Sequence, residues 1–568
     1  MSILQELTSK FRTAIENVTD EDPAPLLDMI RPSQDPKFGD YQANFAMPLG
    51  KKLGKAPRDI AAELAAATDL SDLCDEPEIA GPGFINLRLR DEWITEHLNK
   101  ALSDQRLDIA PIDTPRKYVI DYSAPNVAKP MHVGHIRSTC IGNSLARILK
   151  FIGHDVVTDN HIGDWGTQFG MIIYGYRHFL DTTAYEENPV EELARLYQLV
   201  RKLNDYHNGR RQLHPMREQI ENMIEELEKE EAAIAENGKE PDKKARKELN
   251  RKRTRIDEAR ADLEALEIKL SAVESDPALS ELAAAHPNIG ELVLEETAKL
   301  HSGDEENLRL WRTFLPFCEE EINRIYDRLH VTFDHTLGES FYHNRLAPIV
   351  DEMIAQGIAK ESDGAICVFI DGIDAPMIIR KKDGAFLYAT TDMATIRYRM
   401  EEWKPDAILY VVDHRQSLHF DQLFAASRLL GYDDVELKHV SFGTVLGEDG
   451  KPFKSRSGKQ VRLETLLDEA VERAHKIVCE NDDNRKGGAG LDDDQRREAA
   501  ERIGIAALIY ADLSQNRDSD YVFSYEKMLA MNGNTATYMQ YANARVKSIF
   551  AKGGVDIDAL RKSDACIR

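Results

Sequence analysis

Two histidines, His132 and His135, flank a valine and a glycine in the motif HVGH. They follow a proline-bounded turn that carries Lys129 (SAPNVAKPM, residues 123–131). The apolar run Tyr118-Val119-Ile120 reads as a strand ending at Asp121. Downstream, Ile141, Leu145, Ile148 and Leu149 fall on one face of a helical pattern. A strand, a glycine-containing turn and a helix bring backbone N–H groups and the positive end of a helix to one point, which suits a phosphate. Two imidazoles there add hydrogen-bond donors. Far downstream, Phe453-Lys454-Ser455-Arg456-Ser457-Gly458 forms a basic loop. When the α-phosphorus of a triphosphate is attacked, charge moves onto the leaving pyrophosphate, so donors are needed on both sides. A rigid histidine–glycine turn paired with a flexible cationic loop is one solution. HxGH alone is a weak signal, and a Lys- and Arg-rich loop alone is most often plain surface. The two in this order are stronger evidence than either.

The elements that must position these residues follow from periodicity. From Lys117 onward, strands alternate with helical segments, as in a doubly wound, parallel, Rossmann-like α/β sheet. A second strand is expected at residues 155–158, followed by NHIGDWGTQFG. Ligands of such sheets lie beyond the carboxyl ends of the strands, where Asp121 and Asn160 fall. Residues 330–342 read as a strand and loop rejoining the sheet. Residues 365–370 and 377–380 read as a β-rich patch with a turn at Asp383-Gly384. A helix-like segment (386–400) places Tyr388 and Asp392 four apart, hence on one face. A strand at 407–413, a helix at 413–430 and a strand with the basic loop at 439–463 follow. Beyond Leu466 the chain reads as helical to its end.

Residues 1–112 read as a separate α+β module, with residues 106–115 as linker. Its first helix carries Ile3, Leu4, Leu7, Phe11, Ile15 and Val18 on one face, and GPGFINLRL enters a strand with Phe84 in its core. Residues 208–275 differ in kind. Leu213, Ile220, Leu227 and Ile234 recur every heptad, as do Leu249, Ile256, Leu263 and Leu270, with Ala259, Leu266 and Val273 as a second seam. The first arm ends acidic (Glu225, Glu226, Glu228, Glu230, Glu231) and the second begins basic (Lys243, Lys244, Arg246, Lys247, Arg251, Lys252, Arg253). Only an antiparallel hairpin brings those blocks face to face. The hairpin is a solvated spacer or an arm that docks RNA or protein.

The chain has 568 residues, with 42% hydrophobic and 30% charged, which fits several globular domains rather than disorder. No apolar run approaches a membrane span, and the acidic N-terminus is unlike a secretory or organelle leader. Six scattered cysteines without a CxxC pair point to a reducing, cytoplasmic setting and to no structural zinc. A net charge of −26 argues against generic nucleic-acid affinity, though it does not exclude one locally basic surface.

HVGH resembles the HIGH signature of class I aminoacyl-tRNA synthetases, and FKSRS their KMSKS signature. SAPNVAKPMHVGHIRST, NHIGDWGTQFG, YATTDMA, GTVLGEDGKPFKSRSG and NTATYMQYANARV, in that order, resemble arginyl-tRNA synthetases in particular, and KFGDYQ and GPGFIN resemble that family's N-terminal domain. The resemblance implies activation of L-arginine by ATP, with Mg2+ accompanying the nucleotide, and transfer of arginine to the terminal adenosine of its tRNA. It implies that Lys129, His132, Gly134 and His135 bind ATP and that Lys129, Lys454 and Arg456 share the triphosphate. Arg456 stands where KMSKS has its second lysine, with Lys129 as the expected substitute. Asp121, Ser123, Asn126, Tyr388, Asp392 and Gln416 would hold arginine, and a guanidinium does want planar carboxylate acceptors and an aromatic wall. Phe84 and Asn86 would contact the tRNA elbow, a splayed base stacking on Phe84. Tyr538, Tyr541 and Arg545 would begin the helical anticodon-binding domain; that domain normally continues well past the position of Arg568, so either it is truncated here or tRNA is recognised differently. The implied domains are 1–112 (tRNA elbow), 113–470 (catalytic, with 208–275 inserted) and 471–568 (helical). The implied protein is a monomer with no membrane partner. A dinucleotide-making nucleotidylyltransferase also uses HxGH, but would leave Tyr388 and Asp392 without purpose.

Overall fold

The computed structural model describes residues 3–19, 22–127, 129–236, 243–447, 449–451, 453, 461–485 and 488–561. The chain divides into two compact units. One comprises Met1–Pro115, Ile148–His154 and Gln540–Arg568; the other comprises Arg116–Arg147 and Asp155–Met539.

In the first unit, strands β1 (Ile30–Pro32), β2 (Tyr41–Ala43), β3 (Glu78–Ala80) and β4 (Phe84–Leu87) form an antiparallel sheet in the order β1-β2-β4-β3. Helices Ile3–Glu16, Ala46–Leu53 and Pro57–Ala67 share its core, where Leu7, Phe11, Ile15, Leu64, Ile85 and Leu87 are wholly enclosed. Two expectations change. Leu4 is 38% exposed, so the apolar stripe of the first helix is narrower than its sequence suggests. Phe84 is only half-buried, and Ile85 with Leu87 forms the core instead.

In the second unit, β5 (Lys117–Asp121) leads into the helix Val133–Ile152 and then β6 (Asp155–Asp159). Strands β7 (Ala359–Ser362), β8 (Ala365–Val368) and β9 (Met377–Arg380) make an antiparallel patch. β10 (Ala407–Tyr410) and β11 (Glu436–His439) return to the main sheet, which is fully parallel in the order β11-β10-β5-β6. β5 therefore lies inside the sheet, and its last residue, Asp121, is in register with Asp159 on one side and Tyr410 on the other. Residues 330–342 do not add a strand. They touch β6 through a single bridge, His335 to Asp159. The Asp334 carboxylate accepts from both N–H and hydroxyl of Thr158 and so takes the donor a further strand would need, and the helix Glu339–Ala355 begins instead. The C-terminal region is not all helical: β12 (Val445–Leu446) and β13 (Tyr521–Val522) pair in parallel. Two-residue strands are too short to show an alternation.

The inserted hairpin consists of helices Pro189–Glu236 and Lys243–Glu274. Ile220, Leu249, Ile256, Leu270 and Val273 are buried along the seam, as the heptads require. Lys252 pairs with Glu230 (2.6 Å) and Arg253 with Glu231 (2.7 Å), so the acidic and basic blocks do face each other. The arms approach closely at Gly209, where a Cβ would lie 2.7 Å from Leu266 Cδ1. The first arm starts earlier than its heptads because Leu193, Leu196, Val200 and Leu203 are also buried. Among the described residues, no helix is long and apolar enough to cross a membrane.

Candidate active site

The helix that follows β5 starts inside HVGH, at Val133, and the motif's own backbone sets its histidines. The backbone N–H of His132 donates to Nδ1 of His135 (3.0 Å), and the N–H of Gly134 donates to Nδ1 of His132 (3.1 Å). Nδ1 of His135 also lies 3.3 Å from His132 O, but its nearer neighbour is the His132 N–H, so each Nδ1 is assigned as an acceptor and a neutral ring then carries its proton on Nε2. Both imidazoles, 4.0 Å apart between centroids, thus keep an Nε2–H donor for a ligand. Burial is the main cause that holds them neutral: it lowers the pKa of His132, helped by Lys129 and Arg415, and pushes that of His135 down to about 3, helped by His132. Gly134 is needed here, since a Cβ would lie 2.9 Å from His132 Cε1 and 3.0 Å from its Nδ1. Lys129 is half-buried beside this turn, its N–H donating to Asn126 O (3.0 Å). Burial, then Arg201, depresses its pKa.

Lys454 and Arg456, with the rest of residues 454–460, lie outside the described residues. Both flanks of that loop are anchored. Phe453 donates its N–H to Val445 O (3.0 Å) and packs its ring 4.9 Å from Phe523. On the far side, Val133 N–H donates to Val461 O (3.1 Å), Leu463 N–H donates to Met131 O (2.8 Å), and His132 bridges Arg462. The residues that close the basic loop are therefore strapped directly to the HVGH turn.

The carboxyl ends of the strands carry the second group. Asp121 Oδ2 accepts from Arg399 Nη2 (2.6 Å), and the same nitrogen reaches Asp159 Oδ2 (2.8 Å). Ser123 and Ala124 adopt left-handed φ values of 72° and 45°, a conformation uncommon for non-glycine residues that concentrates at functional sites. Ser123 is buried, and protein groups take up its polar atoms. Its N–H donates to Ser138 Oγ, and its hydroxyl lies 2.8 Å from both Thr139 Oγ1 and Tyr326 OH. Asn126 is tied through its backbone to Gly163 but leaves Oδ1 buried without a partner among the described residues.

Helix Tyr388–Tyr398 carries Tyr388 and Asp392 on one face, as expected. Tyr388 is 62% exposed. Asp392 Oδ2 lies 2.7 Å from His419 Nε2, and the rings of Tyr388 and His419 meet edge to face at 4.8 Å. Gln416 is exposed one turn before His419, at the start of the helix Ser417–Leu429. Glu339 opens the helix Glu339–Ala355, and its pKa is raised chiefly by burial, with Asp164 and Asp392 adding to the rise and His161 opposing it. Asp164 fixes this helix start by accepting from the N–H and hydroxyl of Ser340.

Sequence reasoning missed Arg399, Glu339 and His419. A signal existed for two of them. Arg399 falls two turns beyond Asp392, on the face that Asp392 shares with Tyr388, and His419 lies three residues beyond Gln416. Glu339 had none, because an acidic residue at a helix start is ordinary.

Among the described residues, no group of three His, Cys, Asp or Glu side chains could hold a metal ion. In the N-terminal sheet, Phe84 is half-buried. Asn86 is 5% exposed, accepts from Gln42 Nε2 (2.8 Å) and leaves Nδ2 unpartnered among the described residues. Tyr538, Tyr541 and Arg545 are exposed along the helix Ala536–Lys552.

Residues 97–274 and 284–525 match the family described as tRNA synthetases class I (R), catalytic domain, and residues 5–89 match the arginyl tRNA synthetase N terminal domain. An arginine–tRNA ligase of Rhodopirellula baltica is 51% identical over 558 residues, covering 97% of this chain and 83% of its own length. One from Thermobifida fusca is 41% identical over 537 residues, covering 93% and 78%. The solved arginyl-tRNA synthetase of Plasmodium falciparum has the same fold, with a TM-score of 0.69 at 24% identity over 99% of this chain and 83% of that one. That of Thermus thermophilus follows at 0.64 and 20%, over 97% and 82%. The matched segments contain both the strapped HVGH turn and the carboxylates beyond the strand ends, and the chain belongs to the arginyl-tRNA synthetase family of class I aminoacyl-tRNA synthetases.

Proposed function

We propose that this chain is an arginine–tRNA ligase whose HVGH turn and strand-end carboxylates divide the first step between them. L-Arginine reacts with ATP to give arginyl-adenylate and pyrophosphate, and arginine then passes to the 3′-terminal adenosine of its tRNA. The arginine carboxylate attacks the α-phosphorus in line. Charge builds on the departing pyrophosphate, where His132 and His135 donate from Nε2–H and Lys129 supplies a cation. Lys454 and Arg456 meet the same phosphates from the loop whose closing residues are strapped to that turn. Mg2+ enters bound to ATP as part of the substrate.

At the other end, Asp392 takes the guanidinium, with Glu339 as a second carboxylate and Tyr388 as the wall. Gln416 borders the pocket. The unpartnered Oδ1 of Asn126 suits the α-ammonium, as does the edge of Asp121 that Arg399 does not use. Ser123 holds the loop that carries them. The N-terminal sheet meets the tRNA elbow through Phe84, with Asn86 bracing the strand, and Tyr538, Tyr541 and Arg545 meet the anticodon side. Residues 1–112, 113–470 and 471–568 are the corresponding functional divisions of a cytoplasmic monomer.

The observation that carries this reading is the strap between residues 461–463 and HVGH, which joins two phosphate-binding signatures far apart in sequence. Arginine-dependent pyrophosphate exchange, measured with cognate tRNA present, tests it. Losing one partner of a buried charge pair costs about 2 kcal/mol or more, so Asp392→Asn should raise KM for arginine about 30-fold or more and leave KM for ATP within about twofold. No exchange by the wild type, or an unmoved arginine KM in the variant, contradicts the reading.

A further inference from the structure

We infer that Arg399 is a positioning residue for the guanidinium site: one enclosed guanidinium ties the helix that presents Tyr388 and Asp392 to the ends of three adjacent strands. The inference rests on assigning Asp392 to the substrate guanidinium.

Arg399 opens a π-helical turn, Arg399–Trp403, at the end of the helix Tyr388–Tyr398. Such widened turns are rare and gather at functional sites. Two turns separate Arg399 from Asp392, so both leave the helix on nearly the same face. The Arg399 side chain is fully enclosed, as is that of Asp159, and that of Asp121 is 8% exposed. Its Nη2 bridges the two carboxylates at 2.6 and 2.8 Å. Asp121 and Asp159 stand opposite each other on β5 and β6, and Tyr410 stands opposite Asp121 on β10. The guanidinium carbon lies 5.5 Å from the Tyr410 ring. One side chain therefore reads three strand ends at once, which fixes both the rotation of the helix and its distance from the sheet.

The arrangement also sorts guanidinium groups. Two neighbouring buried carboxylates need a counter-charge to remain ionised together. A pocket that receives arginine could spend its substrate on them. Here the chain supplies its own arginine, and the substrate is left with Asp392 and Glu339. A lysine at 399 would keep the charge but end one bond short of Nη2, the nitrogen that makes both carboxylate contacts.

The test compares Arg399→Lys, Arg399→Gln and Asp159→Asn with wild type in tRNA-supported pyrophosphate exchange, with KM for arginine and for ATP measured separately. Misplacing a binding group by about 1 Å can cost about 100-fold, so Arg399→Gln should raise arginine KM about 10- to 100-fold with ATP KM within about twofold, and Arg399→Lys should recover part of the loss. Asp159→Asn keeps the shape and loosens the clamp, with an expected rise of about three- to tenfold. This variant decides the matter if the Arg399 variants do not fold. Parallel loss for arginine and ATP, or an arginine KM within about twofold of wild type in a folded variant, overturns the inference. Asp392→Asn separates the two ideas. If it leaves arginine KM unmoved, the guanidinium assignment itself fails; if it raises KM while the Arg399 and Asp159 variants do not, only the positioning role fails.

Discussion

The proposed function gives the two nitrogens of His135 different work, and two substitutions can separate them. Nδ1 faces the backbone N–H of His132 at 3.0 Å and His132 O at 3.3 Å; accepting the nearer N–H leaves the ring proton on Nε2. Asparagine at 135 places its amide near the Nδ1 position and can still accept that N–H. Glutamine reaches the Nε2 position with an NH2 donor and leaves the His132 N–H unanswered. A preorganised donor to a developing oxyanion is worth about 2.7–4 kcal/mol, roughly 100- to 1,000-fold in kcat. A backbone N–H that loses its partner costs about 1–3 kcal/mol of stability. His135→Asn should therefore melt close to wild type and lose about 100- to 1,000-fold in kcat. His135→Gln should be less stable and lose only about tenfold, because its donor survives with looser placement. Pyrophosphate exchange with tRNA and saturating arginine reads kcat, and thermal melts read stability. Because the pKa of His135 is pushed down to about 3, the glutamine variant and wild type should share the same acid limb above pH 5. An asparagine variant as active as the glutamine one would place the working nitrogen at Nδ1 and refute the argument.

Lys129→Ala should slow adenylate formation about 100-fold while arginine binding stays within about threefold if, as proposed, the lysine acts on charge that appears in the transition state; equal effects in single-turnover and binding measurements would count against it. Gly134→Ala puts a methyl 2.9 Å from His132 Cε1. The ring must turn away, so the variant should fold normally by circular dichroism and lose about tenfold or more in kcat/KM for ATP. The depressed pKa of His135 also links stability to pH. The unfolded chain binds its proton near pH 6.5 and the folded chain does not, so this contribution is present above that pH and lost as pH falls toward about 3. Because part of His135 still meets solvent, wild type should lose about 1–2 kcal/mol more than His135→Gln between pH 7.5 and 5.0, read from paired melts, and equal losses would show that the histidine is protonated in the folded protein.

Local chemistry is what the sequence alone determines here. The strand, glycine turn and helix around HVGH, the heptads of the inserted hairpin and the shared face of Tyr388 and Asp392 all follow from periods and turn residues within a short stretch. The order of the motifs was enough to point to a family. The tertiary structure decided what depends on distant partners. Arg399 meets Asp121 and Asp159 across separations of 278 and 240 residues, and no local pattern records such a pairing. The strap from residues 461–463 to residues 131–133 runs through backbone groups, which every residue carries alike. The two-residue strands β12 and β13 are too short for a period, and residues 330–342 look like a strand until the Asp334 side chain takes the hydrogen bonds of Thr158. Glu339 feels the charges of Asp164 and Asp392 only because the fold brings distant segments together. Periodicity tells a residue which way to face; only the closed sheet decides which charge it meets there.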